Sequence, residues 1–332
     1  DIHTSFKLSQ TKKDECIILS NPVGIPLDYI KLNIETKQGH SRGRTLNGVN
    51  DWSIFTTPTP GASNNTSMPY VGYADKPDVS DSAGFYPGTI HIIITTKENN
   101  ADIHYTLDGT SPTVASPIYT SPITVSSTKV LKAITVSSDP EVLTSFERFN
   151  TYFINVSHTM PVISMSGTQL TNLANGDGYL EPTGSVEYFD LNKKRTAKSY
   201  GMFNKHGQDS WVLSQRSIDF VSRDEMGYNN ALKEKFFAIT DRDEFQRIIF
   251  RAAGDDNYPA DHNPSNAGSA HIRDAYVHNL AKTGGLDLDV RTATKVVMYI
   301  NGQYWGIYDI RERADDHDFT DYYYNQDKYN IQ

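Results

Sequence analysis

The segment Lys295–Ile310 constrains the fold of this chain more than any other. Val296, Met298 and Ile300 alternate with Val297 and Tyr299, the period-two pattern of a strand with one face buried. Asn301-Gly302 follows, a dipeptide suited to a type I′ hairpin turn because both central residues must take positive φ. The return strand, Tyr304–Ile310, carries Trp305, Gly306 and Tyr308, then delivers Arg311, Glu312 and Arg313 to its end. This reading gives a packed hairpin ending in charges, which at a strand end can face a cleft.

With 332 residues the chain has room for two or three domains, each with its own core. A net charge of −9 argues against a nucleic-acid partner, since phosphate backbones demand a concentrated basic surface. One cysteine, Cys16, excludes an intrachain disulfide framework and a thiolate metal cage. No apolar run reaches membrane-spanning length. The abundance of Tyr, Asn, Ser and Thr fits an extracytoplasmic, secreted or cell-surface β-rich protein.

Turn-rich and proline-rich breaks divide the chain into three segments, 1–67, 68–154 and 155–332. In the first, Phe6–Leu8, Cys16–Ser20 and Leu27–Leu32 read as short strands. They are followed by a glycine-containing loop at His40–Arg44, by Trp52, and by a TPTPGASNN stretch without periodicity. In the second, Ile90, Ile92 and Ile94 form one face of a strand, and Ile103–Leu107 runs into a turn at Asp108-Gly109. Further strands follow it, and the pattern is that of an all-β sandwich. Tyr105 and Tyr119 could stack on a sugar, but cross-strand packing suits them better. In the third, Val162–Met165 predicts a strand and His271–Gly285 a helix closed by Gly284-Gly285.

Three resemblances attach to these residues. The CIILSNP strands, the SRGR segment and the W…PTPGASN ending resemble the closing half of a lamin-tail domain, an immunoglobulin-like sandwich. YTLDGTSPT…YTSPITV resembles the C-terminal module of chitobiase and β-hexosaminidase enzymes, which implies an immunoglobulin-like accessory module and glycan contact. NG-x-YWG-x-Y, with the acidic exit after it and the HIRDAY helix before it, resembles the CotH kinase family. The expected fold is therefore two immunoglobulin-like β-sandwich modules followed by an α+β atypical kinase-like domain, incomplete at its C-terminal end.

The CotH resemblance implies ATP with a divalent metal as cofactor and a protein substrate or surface complex as partner. It places Gly207 and Ser210 in a glycine-rich phosphate loop and Arg216 where the family carries a lysine. Glu312 then lies across the cleft from Arg216. The family's catalytic aspartate and Trp-Asp-x-Asp metal motif do not follow Glu312, so the catalytic residues are unassigned. The expected native polypeptide extends beyond both ends, and this chain is expected to bind nucleotide weakly, through Arg216, without transferring phosphate. A non-catalytic adhesion or assembly protein with a pseudokinase-like domain is the alternative. Asp255, Asp256, Asp261 and His262 read as a solvated loop in preference to a metal site.

Overall fold

A computed structural model describes residues 8–11, 14–32, 34–257, 269–314 and 317–326. The chain is β-rich with few helices. The expected strand at Phe6–Leu8 falls largely outside the described residues.

The first segment forms two antiparallel pairs. Cys16–Ser20 pairs with Pro26–Lys31 around a turn in which the Asn21 side-chain oxygen accepts from the backbone N–H groups of Val23 and Ile25. This ribbon is open to solvent, with Ile18, Leu19, Val23, Ile25, Leu27 and Tyr29 all exposed. Ser41–Arg44, read from sequence as loop, is a strand paired with Trp52–Phe55. Arg42 and Arg44 stand over the Trp52 ring, and Arg44 also pairs with Asp28 at 2.7 Å.

In the second segment a four-stranded sheet runs Ala101–Thr106, Lys129–Ser137, Arg148–Ile154, Gly84–Tyr86, the last pair being parallel. The expected isoleucine strand is broken at Ile93: Ile90–Ile92 pairs with Ile123–Val125, whereas Ile94–Thr95 pairs with Asp78–Val79. Its buried face survives, since Ile92 and Ile94 join Ile103, Leu131 and Tyr152 in one core. Asp108-Gly109 does not close a tight hairpin. Asp108 instead accepts from the N–H and hydroxyl of Thr110, and the partner strand arrives from Lys129 onward.

The third segment is built on a closed seven-stranded barrel. Its strands are β1 (Val162–Ser166), β2 (Thr183–Phe189), β3 (Arg195–His206), β4 (Ser217–Ser222), β5 (Arg247–Arg251), β6 (Ala293–Ile300) and β7 (Gln303–Glu312). Their order is β1-β2-β3-β4-β5-β7-β6, closed by parallel pairing of β6 with β1. Among the described residues three α-helices accompany them: α1 (Leu170–Ala174), α2 (Arg273–Thr283) and α3 (His317–Tyr324). The α+β expectation is thus modified, because the helices are accessories to a barrel that holds its own core.

The β6–β7 hairpin turns as its sequence requires, with Asn301 at φ 51° and Gly302 at φ 78°. Asn301 also ties the turn to β1 and α1, accepting from Gly167 N–H and donating to Gly167 O and Thr171 Oγ1. Strand parity then sorts the side chains. Val296, Met298, Ile300, Tyr308 and Ile310 point into the barrel with Phe203, Phe220 and Phe250. Val297 and Tyr299 point outward, onto Phe153 of the second segment.

Candidate functional site

The two ends of the barrel are closed by the residues that sequence reasoning placed on opposite walls of a cleft. At one end, the β3–β4 connection carries Gly207, at φ 95°, and a short turn over Asp209–Val212 that inserts Trp211 into the barrel core. Ser210 lies against Gly207 and Gly254. Arg216 donates to three backbone carbonyls, Trp211 O at 2.8 Å and Ala174 O and Ser214 O at 3.3 Å. Its guanidinium is spent on holding this loop.

At the other end Glu312 is fully buried. It accepts from the Thr292 hydroxyl at 2.5 Å, Arg242 at 3.2 Å and the Tyr323 hydroxyl at 3.1 Å. Burial pushes that tyrosine hydroxyl up to about 12. Glu312 shares a lateral row with Ile248 and Phe220, four residues along β4 from Arg216. At a rise of 3.3–3.4 Å per residue that is about 13 Å along the strand direction alone. The structure therefore does not bring Arg216 and Glu312 together. Gly207, Ser210 and Arg216 do share one loop, as a plug for the barrel mouth.

A second constellation lies on the outer face of β5, β7 and β6, beneath α2. The residues between the inward-facing ones are charged here: Arg251 on β5, Asp309 and Arg311 on β7, Lys295 on β6. Lys295 Nζ meets Asp309 at 2.8 Å and donates to His271 O. Asp274, in the first turn of α2, pairs with Arg311 and lies 3.5 Å from Arg251. Beside them Arg313 pairs with Asp219 of β4. Arg311 is only 4% exposed, and burial with the neighbouring Arg251 pushes its guanidinium down to about 10. Burial likewise lowers Arg251, and His271 is lowered by burial with Lys295 adding to it. Three cations, Arg251, Arg311 and Lys295, thus face two carboxylates, Asp274 and Asp309. The face carries surplus positive charge in a partly desolvated setting, where it is worth more than in water.

The helix above this face is mounted with its polar side inward. Asp256 receives the start of α2, accepting from Arg273 N–H at 2.8 Å and from the Arg273 side chain at 3.0 Å. Asp256, read from sequence as part of a solvated loop, is instead a buried anchor for the helix, while Asp261 and His262 lie outside the described residues. His278 Nδ1 accepts from Arg291 N–H. No residue of α2 is buried, and Tyr276, Val277 and Leu280 are exposed. Among the described residues no group of three or more His, Cys, Asp or Glu side chains is arranged to hold a metal ion. No described helix is long and apolar enough to cross a membrane.

Sequence reasoning missed the face beneath α2. The available signal was parity: with Tyr308 and Ile310 buried inward, Asp309 and Arg311 must point to the opposite side and Glu312 must point in.

Comparison with known proteins adds one match. The family model described as chitobiase/beta-hexosaminidase C-terminal domain matches residues 82–144, from just before Gly84–Tyr86 to just past the strand Val142–Leu143. Tyr105 and Tyr119, the residues weighed as a sugar platform, are half-buried there against Ile103 and Leu131. No curated protein matches the chain. Over residues 82–144 the chain is thus similar to the chitobiase/beta-hexosaminidase C-terminal domain.

Proposed function

We propose that the barrel and α2 form the nucleotide-facing half of a CotH-like phosphotransferase domain, carried on a secreted or cell-surface protein by the two β-rich segments before it. The observation that supports this reading is the surplus cation beneath α2, where Arg251, Arg311 and Lys295 share Asp274 and Asp309. Protein kinases set a strand cation against a helix carboxylate and turn that cation on the phosphates of ATP. Arg251 of β5 and Asp274 of α2 stand in that relation, with Arg and Asp in place of Lys and Glu. A guanidinium can engage two phosphate oxygens side by side, and an ammonium acts as a point charge. Arg251 and Lys295, each about a quarter exposed, would hold the phosphates of ATP, while buried Arg311 fixes Asp274. ATP when bound would supply the phosphoryl group. A divalent metal finds no ligand cluster among the described residues.

Calorimetric titration with ATP and magnesium tests the reading. Lys295→Met is expected to weaken binding by about tenfold, one charge-assisted contact of roughly 1.4 kcal/mol. Arg216→Ala is expected to lower stability and leave the affinity of the folded protein unchanged. The reverse pattern would return the nucleotide to the Gly207–Ser210 loop.

The second reading, a non-catalytic adhesion or assembly protein, is favoured by a different observation. The strands Cys16–Ser20 and Pro26–Lys31 expose apolar side chains on a ribbon that pairs with no further described strand. Unpaired strand edges of this kind accept another strand.

A further inference from the structure

Lys198 lies on β3 directly opposite Glu187 of β2. Opposite charges at such cross-strand positions ordinarily pair. Here they do not, because Glu187 is taken by Arg195 at 2.5 Å and by the Thr151 hydroxyl at 2.5 Å. Among the described residues Lys198 makes no hydrogen bond or ion pair, and its Nζ lies 5.4 Å and 5.8 Å from the ring centroids of Tyr228 and Phe149.

The charges that face it are three cations and one occupied carboxylate: Arg195, Arg148, Lys76 and Glu187. Arg148 is fixed by Pro77 O and Asp78, and Lys76 by Gly227 O and the Tyr228 ring. A half-buried ammonium in this setting is repelled by three cations and met only by the ring faces of Tyr228 and Phe149 and the already occupied Glu187. An anionic group at the same atom would be attracted by all three cations.

We propose that Lys198 is a carbamylation site, its neutral ε-amine adding carbon dioxide to give a carbamate held among Arg195, Arg148 and Lys76. The Nζ lone pair attacks the carbon of carbon dioxide, and an N–C bond forms. One C=O π pair moves to oxygen, and nitrogen releases a proton to solvent. The balance needs only carbon dioxide, with no leaving group and no change of oxidation state. Burial, reinforced by Arg195, brings the Lys198 amine down to about 8, so part of it is neutral near pH 7 to 8.

Lys37 supplies the internal contrast. Burial also brings it down to about 8, but it donates to Thr144 O at 2.8 Å and Ser145 O at 2.9 Å, and the charge facing it is the Glu147 carboxylate. A carbamate there would lose those bonds and meet a like charge. Surroundings, and not proton affinity alone, select Lys198. The product would tie β3 of the barrel to Arg148 and Lys76 of the second segment. The inference does not depend on the nucleotide reading.

The test is to incubate the full chain with isotopically labelled bicarbonate at pH 8, read the carbamate carbon by NMR, and trap it with triethyloxonium for peptide mapping. The expected result is label trapped at Lys198, absent in Lys198→Arg, which keeps the charge and cannot add carbon dioxide. Arg195→Gln is expected to reduce trapping several-fold, because it frees Glu187 to pair with Lys198. Trapping at Lys37 or at exposed lysines as strongly as at Lys198, or none at Lys198 in a chain with native circular dichroism, would overturn the proposal.

Discussion

Glu312 shows how far a charged residue at the end of a strand can be drawn from solvent. It is sealed against Arg242, Thr292 and Tyr323, with Arg242 itself 4% exposed. Removing one partner of a buried pair leaves the other charge uncompensated, which costs about 3–5 kcal/mol. Glu312→Gln is therefore expected to lower the unfolding free energy by that order, read from denaturant melts, with nucleotide affinity of the folded fraction unchanged. Full stability with lost binding would mean that the carboxylate faces a ligand after all. The sequence shows Glu312 as part of a charged Arg-Glu-Arg run, and composition alone puts such a run in a cleft. Only counting parity from buried Tyr308 turns it inward and sends Asp309 and Arg311 out. Lysines give a second test at this scale. Lys37 and Lys198 are both brought to about 8 from the ordinary lysine value of 10.5, so between these values the unfolded chain binds more protons than the folded one. Stability in bicarbonate-free buffer is expected to rise from pH 8 towards pH 10, and Lys198→Met should flatten that rise. Above pH 10 the raised tyrosines Tyr188 and Tyr228 act in the opposite sense, so the window closes there. A midpoint that falls between pH 8 and pH 9.5 would contradict the assignment.

At the scale of elements, α2 is held on β5 and β7 by charge, with its apolar side outward. Asp274 carries that attachment because both Arg251 and Arg311 converge on it. Asp274→Asn is expected to speed backbone amide exchange across Arg273–Thr283 while leaving β6 and β7 protected. Equal protection in the variant would show that other contacts hold the helix. The helix itself was legible from its repeat of Ile272, Tyr276 and Leu280 and from the glycine pair after it. Its orientation was not, because an apolar stripe normally marks the buried face and here marks the exposed one. The β6–β7 hairpin was legible because turn chemistry and alternation agree at Asn301-Gly302. Ser41–Arg44 escaped notice because two arginines and a glycine carry no alternating apolar signal. Their strand is made by pairing with Trp52–Phe55 and by arginine resting on the Trp52 ring.

At the scale of the molecule, the second segment and the barrel share buried surface that neither sequence pattern announces. Phe153 and Phe85 pack on Phe189, Val297 and Tyr299 of the barrel wall. Fully buried Lys132 pairs with Glu147 at 2.8 Å and donates to Ser166 O of β1, beside the Tyr200 ring. Thr151 reaches Ser164 and Glu187. A barrel expressed without residues 68–154 would expose these aromatic rings, and calorimetry of the longer chain is expected to show both units melting in one transition. Two well-separated transitions would contradict that coupling. The barrel's outer surface is thus divided, one side aromatic and covered by the second segment, the other charged and capped by α2. The claim that the charged side receives a nucleotide is tested most directly by hydrogen–deuterium exchange with and without ATP. New protection is expected in 273–283, 293–297 and 307–313, with 207–216 unchanged. Protection confined to 207–216, or none at saturating ATP, would contradict it.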